Sequence, residues 1–554
     1  MTYNGDCFGQ AFVPSLEACD AGEQKANLAP NTQIVRFNRT LLWILFPTTI
    51  ALAITRQSLW IDEGFTAWFA SHQSIKSFFS ALVGSPGAPG DPQLLFYLLY
   101  MWGWVKLFGE SEVALRAANI PFAIVFIGAM SWASRRLLRQ PNLWVFFCLS
   151  PFFWFYLNEA RPYVALMTFS AVAIVALLAY LLHPDQYRIV APWCCLIALL
   201  LLWGTDILGF FLFPSMVVLM VATVAGDSGL RRNFFRDWYR PTLLCSPAFV
   251  ALGAFYIGVS AYGVNMRHGR PGLSNLAYVL YEFMGFGGLG PPRNDIRKNP
   301  HLVVFAPYWP SLLIGIVALA GLGFFLFRTR PPKMAWYLAL SLLVGAAIAL
   351  KISMIENFQI VGRHMAALFP LFMITMMFWP KHSVSNNRER FGAIGALVTL
   401  GITWGTSDAR LVFMDKYQKD SYREASSIAV ATARLDGGKI LWAADPYTAH
   451  YYGIQVLKDQ HTVEMGNDDG LDWIISNQAV DAHNWSSAEA TAYLGACTTP
   501  AILVLSKPDL FDARGTWHSL IEQRRPAEIA HLTTISIYEW QPETATAIMP
   551  GFTP

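Results

Sequence analysis

Long apolar runs recur through the first 405 residues of this chain, and they constrain its fold more than any other feature. Crossing a bilayer as a helix takes roughly 17–25 predominantly apolar residues, and run after run reaches or approaches that length. Only 14% of the residues are charged, against about a quarter in soluble domains. The 20 Trp and 21 Tyr suit the aromatic belts at the two membrane surfaces. The sequence therefore predicts an α-helical polytopic membrane protein.

The apolar runs predict about eleven transmembrane helices. Their ranges are 40–56, 113–134, 142–157, 163–182, 190–203, 207–226, 241–262, 306–327, 335–352, 364–380 and 391–405. With a cytoplasmic N-terminus, the short Arg- and Lys-rich loops all fall on the inner side, as the positive-inside rule requires. We therefore expect a multi-pass protein of the bacterial inner (plasma) membrane.

The first outer loop contains two further apolar segments. Counting 92–108 as a span would place the basic loop after 134 outside, so we interpret this run as a helix on or dipping into the outer membrane surface. Segment 62–82 has apolar residues at helical spacing, which predicts an interfacial helix. These residues are Phe65, Trp68, Phe69, Ile75, Phe78, Phe79 and Leu82.

Composition divides the chain into three parts. Residues 1–39 are polar and predicted to be cytoplasmic, and 40–405 form the membrane domain. From 406 to 554 the long apolar runs give way to charged and alternating patterns, which predict an outer (periplasmic or extracytoplasmic) α/β domain. The predicted strands are 439–444, 501–506 and 535–540, and the predicted helices are 420–435 and 514–524.

Other function classes find little support. The net charge of +3 gives no reason to expect nucleic acid as a partner. The seven cysteines include no CxxC spacing, so neither a disulfide framework nor a zinc site is indicated. GFGGLG (285–290) has glycines like those of nucleotide-binding loops, but it lacks the strand–turn–helix context that the motif needs.

The predicted topology brings ionisable residues together on the outer face. Such groups at membrane depth are costly and usually mark a pathway or a site. The acidic residues Asp62, Glu63 and Asp91 lie in the first outer loop. The others follow spans three and nine, and they are Glu159, Arg161, Tyr163, Lys351, Glu356, Arg363 and His364.

Each of these residues also has a purely structural interpretation. Asp62 and Asp91 precede helices, and Pro92 follows Asp91, so both aspartates could be helix caps. Arg161 could neutralise Glu159, and the long cations Arg363 and Lys351 could reach to lipid headgroups. Both interpretations stay open at the level of sequence.

The order of these motifs resembles the bacterial polytopic glycosyltransferases of the GT-C superfamily, in the protein-mannosyltransferase and aminoarabinose-transferase-like group. The resemblance covers about residues 40–405. Its motifs are IDEGFTAWFAS (61–71), DPQLLFYLLYMWGWVKLFGESEVALR (91–116), NEARPYVAL (158–166) and GRHMAALFP (362–370), and KDSYREAS (419–426) matches the usual start of the outer domain. Many relatives have His-Pro-Pro after the second acidic residue, whereas Asp91 is followed here by Pro92-Gln93-Leu94.

The resemblance implies inverting transfer of a sugar from a polyprenyl-phosphate monosaccharide to a lipid, glycan or protein acceptor on the extracytoplasmic face. It implies catalytic roles for Asp62, Glu63 and Asp91, with Asp62 as general base. Arg161, Arg363 and Lys351 would bind the donor phosphate. Glu159, Tyr163, His364 and Glu356 would contact substrate. No cofactor is required, although Asp62 and Asp91 could hold an optional Mg²⁺ or Mn²⁺.

Three other functions remain open from the sequence. A lipid or sugar transporter (flippase) would also have many spans and buried charges, but no inverted repeat is evident. A polysaccharide polymerase or ligase would use lipid-diphosphate donors instead. A scaffold whose outer domain binds a partner would need none of the charged residues for chemistry.

Overall fold

The computed structural model describes residues 32–85, 88–89, 91–138, 143–259, 271–298, 301–328, 333–378, 387–458, 461–462 and 476–542. Helices dominate up to Phe413, and a seven-stranded sheet with flanking helices follows. The chain divides into two compact units between Thr48 and Thr49. The charged residues described below and the sheet belong to the second unit.

The helices before the sheet have the following bounds. The α-helices are α1 (Thr32–Ala53), α2 (Ile61–Ala70), α3 (Ile75–Val83), α4 (Leu95–Phe108), α5 (Glu112–Ala117), α6 (Ile120–Arg136), α7 (Leu143–Cys148), α8 (Pro151–Leu157), α9 (Tyr163–Leu182), α10 (Pro184–Tyr187), α11 (Val190–Thr205), α12 (Leu212–Ala225), α13 (Ser228–Val259), α14 (Leu273–Phe283), α15 (Arg293–Lys298), α16 (Trp309–Arg328), α17 (Lys333–Glu356), α18 (Phe369–Phe378) and α19 (Asn387–Phe413). The 3₁₀ helices are Pro92–Leu94, Ile207–Phe211, Leu302–Tyr308, Gly362–Leu368 and Asp415–Tyr417, and a short hairpin joins β1 (Gly84–Ser85) to β2 (Ala88–Pro89).

Within the described residues, six helical segments are long and apolar enough to cross a membrane. They are Glu112–Arg136, Tyr163–Leu182, Ile207–Ala225, Ser228–Val259, Leu302–Gly321 and Lys333–Glu356. Trp43–Ala53 and Val190–Thr205 are shorter apolar helices. The chain is therefore a multi-pass membrane protein, but the predicted count of eleven spans is not confirmed.

The predicted span at 142–157 is wrong as a single helix. It consists of α7 and α8, which are separated at Leu149 and Ser150, and Pro151 takes the first position of α8. Proline lacks the N–H that a continuing helix would need, so it suits a helix start. Similarly, the predicted span at 364–380 begins inside the 3₁₀ helix Gly362–Leu368.

The two apolar segments of the first outer loop both form helices. Helix α4 has 14 residues, about 21 Å of helix, which is shorter than the roughly 30 Å hydrocarbon core. Its location on the outer membrane surface stays a prediction. Segment 62–82 forms two helices, α2 and α3. Of its predicted interfacial stripe, Trp68, Phe69, Phe78 and Leu82 are buried within the protein, whereas Ile75 and Phe79 are exposed.

The C-terminal sheet domain (Tyr422–Trp540) confirms the predicted α/β character. Its helices are α20 (Tyr422–Asp436), α21 (Pro446–Tyr451), α22 (Ser487–Ala496), α23 (Pro508–Phe511) and α24 (Thr516–Arg524). Its strands are β3 (Lys439–Ala443), β4 (Ile454–Lys458), β5 (His461–Thr462), β6 (Asn477–Asp481), β7 (Ala501–Ser506), β8 (Ala527–His531) and β9 (Ile535–Trp540). All three predicted strands and both predicted helices are present.

The strand order is β5-β4-β6-β3-β7-β9-β8. Neighbours β4, β6, β3 and β7 run parallel, and β9 pairs antiparallel with β7. The central strands are buried on both faces, as expected for a parallel sheet covered by helices. Gly437 ends α20 with φ of 61°, a left-handed conformation that glycine adopts without steric cost.

Gly64 lets the C-terminal sheet domain pack directly on α2. A Cβ atom at this position would lie 2.4 Å from Thr448 Oγ1 and 3.0 Å from Thr448 Cα. Because one of these contacts is with backbone, a rotamer change of Thr448 would not relieve it. The close approach brings the N-terminal end of α21 next to the helix that carries Asp62.

We expect Gly64→Ala to lower the free energy of unfolding by about 1–3 kcal/mol through overpacking. Thermal unfolding of purified protein in detergent measures this change. Gly103→Ala is the matched control, since a Cβ there has nothing within 4 Å. Equal stability of the two variants would contradict the close packing of α21 on α2.

Candidate active site

Asp62 and Arg363 form an ion pair across 301 residues of chain. Arg363 Nη1 lies 2.8 Å from Asp62 Oδ2, and the two side chains are 29% and 28% exposed. Asp62 lies in the first turn of α2, where the positive end of the helix dipole stabilises a carboxylate. Arg363 lies in the first turn of the 3₁₀ helix Gly362–Leu368. The pair combines a carboxylate and a guanidinium that both remain open to a ligand.

Arg161 lies on the other side of Asp62. Its Nη1 donates to the Asp62 carbonyl at 3.3 Å and to Thr66 Oγ1 at 3.2 Å. The Nε atoms of Arg161 and Arg363 are buried without a hydrogen-bond partner among the described residues. The site thus has two guanidinium groups with donor capacity left over.

Three cations determine the protonation of Asp62. Burial opposes its ionisation, but Arg363, Arg161 and Lys507 together outweigh this effect and lower the pKa of Asp62. Asp62 is therefore ionised at neutral pH. We call Asp62, Asp91, Glu159, Arg161 and Arg363 the charged cluster.

Asp91 is the second carboxylate of the charged cluster. It begins the 3₁₀ helix Pro92–Leu94, yet its side chain makes no capping hydrogen bond, which weakens the capping interpretation. Burial raises the pKa of Asp91 to about 6, and the nearby Asp62 adds to this effect while Arg161 opposes it. Asp91 can therefore change protonation near physiological pH.

Glu159 is buried near a partly different set of cations, Lys419, Arg293 and Arg363. Burial raises its pKa to about 7, against the lowering influence of Lys419 and Arg293. Its Oε2 has no hydrogen-bond partner among the described residues. His364 follows Arg363, and its Nδ1 accepts a hydrogen bond from the Val361 N–H at 3.3 Å. His364 is one of the groups that lower the pKa of Asp62, and the predicted substrate contacts of both residues stay predictions.

Glu63 occupies a different environment from its neighbour Asp62. It is fully buried, and Arg116 binds both its oxygens, with Nε–Oε1 at 2.9 Å and Nη2–Oε2 at 2.7 Å. Lys419 Nζ lies 3.0 Å from Oε1, and the Ala160 N–H donates to the same oxygen at 2.8 Å. Despite burial, these partners lower the pKa of Glu63 to about 2. A catalytic role for Glu63 stays a prediction that none of these contacts supports.

Lys351 and Glu356 lie apart from the charged cluster. Both are exposed residues of α17. Neither forms an ion pair with another described residue. Their predicted roles in phosphate and substrate binding therefore stay predictions.

Glu282 and Arg293 form a further polar network next to Arg363. Glu282 Oε2 accepts the Gly362 N–H at 2.6 Å, and its other oxygen pairs with Arg293. A Cβ at Gly362 would meet Glu282 Oε2 at 2.2 Å, so glycine is needed for this contact. Sequence reasoning missed Glu282 and Arg293, which flank the glycine-rich segment 285–290.

The described residues offer no group of three His, Cys, Asp or Glu side chains that could hold a metal ion. Asp62 and Asp91 would supply at most two carboxylates, and one of them is already paired with Arg363.

The C-terminal sheet domain also contributes residues to the site. The sequence analysis did not predict which residues these are. Lys507 is one of the cations that lower the pKa of Asp62. Asp445 N-caps α21 by accepting the Thr448 N–H at 2.7 Å, and burial raises its pKa to about 7. Both residues directly follow strands, and this placement is the signal that could have found them.

Comparisons with known proteins give resemblances of low identity. No family model matches the sequence, and no curated protein matches it. The structure is similar to that of ArnT from Cupriavidus metallidurans bound to undecaprenyl phosphate, with 13% identity and a TM-score of 0.48 over 92% of this chain and 98% of that chain. It is also similar to the arabinofuranosyltransferase AftD from Mycobacteria, with 13% identity and a TM-score of 0.40 over 90% of this chain and 40% of that chain.

ArnT and AftD are both GT-C glycosyltransferases, the superfamily that the sequence motifs resemble. TM-scores below 0.5 leave the activity of this chain to be argued from its own residues.

Proposed function

We propose that this chain is a membrane glycosyltransferase that moves a sugar from a polyprenyl-phosphate monosaccharide to an acceptor at the extracytoplasmic face. The observation that carries the proposal is the pairing of Asp62 with Arg363 at 2.8 Å, beside Arg161 and Asp91. A carboxylate next to two guanidinium groups suits a reaction that needs a base and releases a phosphate. Membrane lipids surround the protein, and nucleic acid has no role.

The reaction is a single displacement with inversion. Asp62 takes the proton from the acceptor hydroxyl or amine while the acceptor atom attacks the anomeric carbon. The bond between that carbon and the phosphate oxygen breaks, and the phosphate leaves with the electron pair. Arg363 and Arg161 stabilise the negative charge as it develops, and guanidinium groups can bind phosphate through two parallel hydrogen bonds.

Substrate binding and base strength are linked through Arg363. Without ligand, Arg363 lowers the pKa of Asp62, which makes it a weak base. A donor phosphate that draws Arg363 toward itself weakens this pairing, so the pKa of Asp62 rises when its proton affinity is needed. The preformed ion pair thus suits a base that becomes active only with donor bound.

Asp91 and Glu159 bind and orient the acceptor in this proposal. The pKa of Asp91, about 6, allows it to accept or donate a hydrogen bond at neutral pH. Glu159, Tyr163 and His364 lie close enough to contribute substrate contacts. A divalent ion is optional, and phosphate oxygens would have to complete its coordination.

We expect Arg363→Ala to weaken binding of polyprenyl phosphate by about 10- to 100-fold, since a hydrogen bond to a charged group contributes roughly 1.5–3 kcal/mol. Binding is measured by titrating purified protein in detergent with polyprenyl phosphate. Polyprenol, which has the same chain and no phosphate, should bind the variant and the natural protein alike.

Arg434→Ala is the matched control, since Arg434 lies on α20 and hydrogen-bonds Asn477 away from the charged cluster. Unchanged affinity of Arg363→Ala for polyprenyl phosphate would remove Arg363 from the phosphate site. Vesicle transport of lipid-linked sugar without transfer to any acceptor would favour the flippase alternative instead.

A further inference from the structure

The carboxyl edge of the parallel sheet faces the charged cluster. Strands β3 and β7 are parallel neighbours, with Ala443 opposite Leu505 near their carboxyl ends. Asp445 follows β3, and Lys507 follows β7. In open α/β sheets, ligands bind in the crevice outside the carboxyl ends of the strands. The sheet domain therefore presents to Asp62 the edge that such domains use for binding.

Lys507 is held in place at this edge. It forms an ion pair with Asp420, and the two side chains are only 10% and 5% exposed. Asp420 is fixed in turn by Thr534, whose Oγ1 donates to it at 2.9 Å. Lys507 has φ of 38°, in the left-handed region that lysine rarely adopts. Backbone conformations of this kind cluster at functional sites, where the surrounding contacts enforce them.

Trp60 connects Lys507 to the charged cluster. Lys507 Nζ lies 5.8 Å from the centroid of the Trp60 ring, and Arg363 Cζ lies 5.4 Å from the same centroid. Two cations from distant parts of the chain thus share one aromatic ring. The ammonium group of Lys507 has three N–H donors. Among the described residues, its hydrogen-bond acceptor is Asp420.

We infer that Lys507 is an anion-binding residue of the substrate site, supplied by the C-terminal sheet domain, and that it contacts the phosphate of the polyprenyl-phosphate substrate alongside Arg363. The inference rests on the proposed function and adds a residue that the sequence motifs do not include. The sheet domain then supplies a substrate-binding residue in addition to covering the site.

Replacing Lys507 tests the inference. Lys507→Met should weaken binding of polyprenyl phosphate by about 10- to 100-fold, since one charged hydrogen bond contributes roughly 1.5–3 kcal/mol. Lys507→Arg, which keeps the charge, should stay close to the natural affinity. Binding of polyprenol should be the same in all variants. If Lys507→Met does not fold, Lys507→Gln serves, because its amide can still hydrogen-bond Asp420.

Lys439→Met is the matched control, because Lys439 begins β3 at the opposite edge of the same sheet. Natural affinity of Lys507→Met for polyprenyl phosphate would overturn the inference, and so would an equal loss of polyprenol binding. If the natural protein binds no polyprenyl phosphate at all, the proposed function fails. If only the inference fails, the natural protein binds polyprenyl phosphate and the Lys507 variants bind it equally well.

Discussion

Replacing Asp62 by asparagine is expected to lower kcat for sugar transfer by about 10²–10⁴-fold, the contribution typical of a positioned general base. The amide has nearly the shape of the carboxylate and can still accept a hydrogen bond from Arg363, but it cannot take a proton from the acceptor. Binding of polyprenyl phosphate should therefore survive. Turnover with a polyprenyl-phosphate sugar, measured beside donor binding, separates the two effects.

The pH dependence of transfer gives a second test of Asp62. A base must be deprotonated to act, so activity falls as the pH drops below its pKa. Because Arg363 lowers the pKa of Asp62, Arg363→Ala should shift the acidic limb of the pH–rate profile to higher pH. Asp91, with a pKa of about 6, is the competing base. Near-natural turnover of Asp62→Asn, together with inactivity of Asp91→Asn, would transfer the base role to Asp91.

The second large effect is expected at Arg116, which binds both oxygens of Glu63 inside the protein. Both side chains are 0% exposed. Removing one partner of such a pair leaves a buried charge uncompensated, which typically costs about 3–5 kcal/mol. Arg116→Met should therefore lower the free energy of unfolding by about this amount. Lys419 remains as a second cation on Glu63, so the loss is expected at the lower end.

Thermal or denaturant unfolding in detergent measures the effect, and Arg423→Met provides the comparison. Arg423 pairs with Glu112, but it is 41% exposed, and exposed ion pairs contribute about 0–1 kcal/mol. Equal stability of the Arg116 and Arg423 variants would contradict the structural role assigned to Glu63.

The sequence predicted the helical membrane region, the α/β domain and three of its strands because each has a strong local pattern. β3, β7 and β9 are short apolar or alternating runs, and such runs are visible without knowing their partners. Strands β4, β5, β6 and β8 are shorter or have weaker patterns and were missed. The interruption between α7 and α8 at Leu149 and Ser150 was also missed, because hydropathy alone does not show where one helix ends and the next begins.

The charged cluster could be predicted only in part. Asp62, Asp91 and Arg363 could be grouped because each lies at a predicted outer helix end. Glu63 and Asp62 are adjacent in the sequence, yet one faces Arg116 in the interior and the other faces Arg363. Neighbouring positions on a helix are about 100° apart, so their surroundings depend on tertiary packing. Lys351 and Glu356 were grouped with Arg363 because they are close along the chain, and this grouping stays a prediction.

The ion pair between Lys419 and Glu63 has a consequence for the order of synthesis. Glu63 emerges early in translation, whereas Lys419 follows the whole membrane region and lies 3.0 Å from Glu63 Oε1 in the finished protein. Until the last quarter of the chain is made, the buried carboxylate has Arg116 as its cationic partner. A chain truncated before Lys419 would therefore lack the second cation on this buried carboxylate.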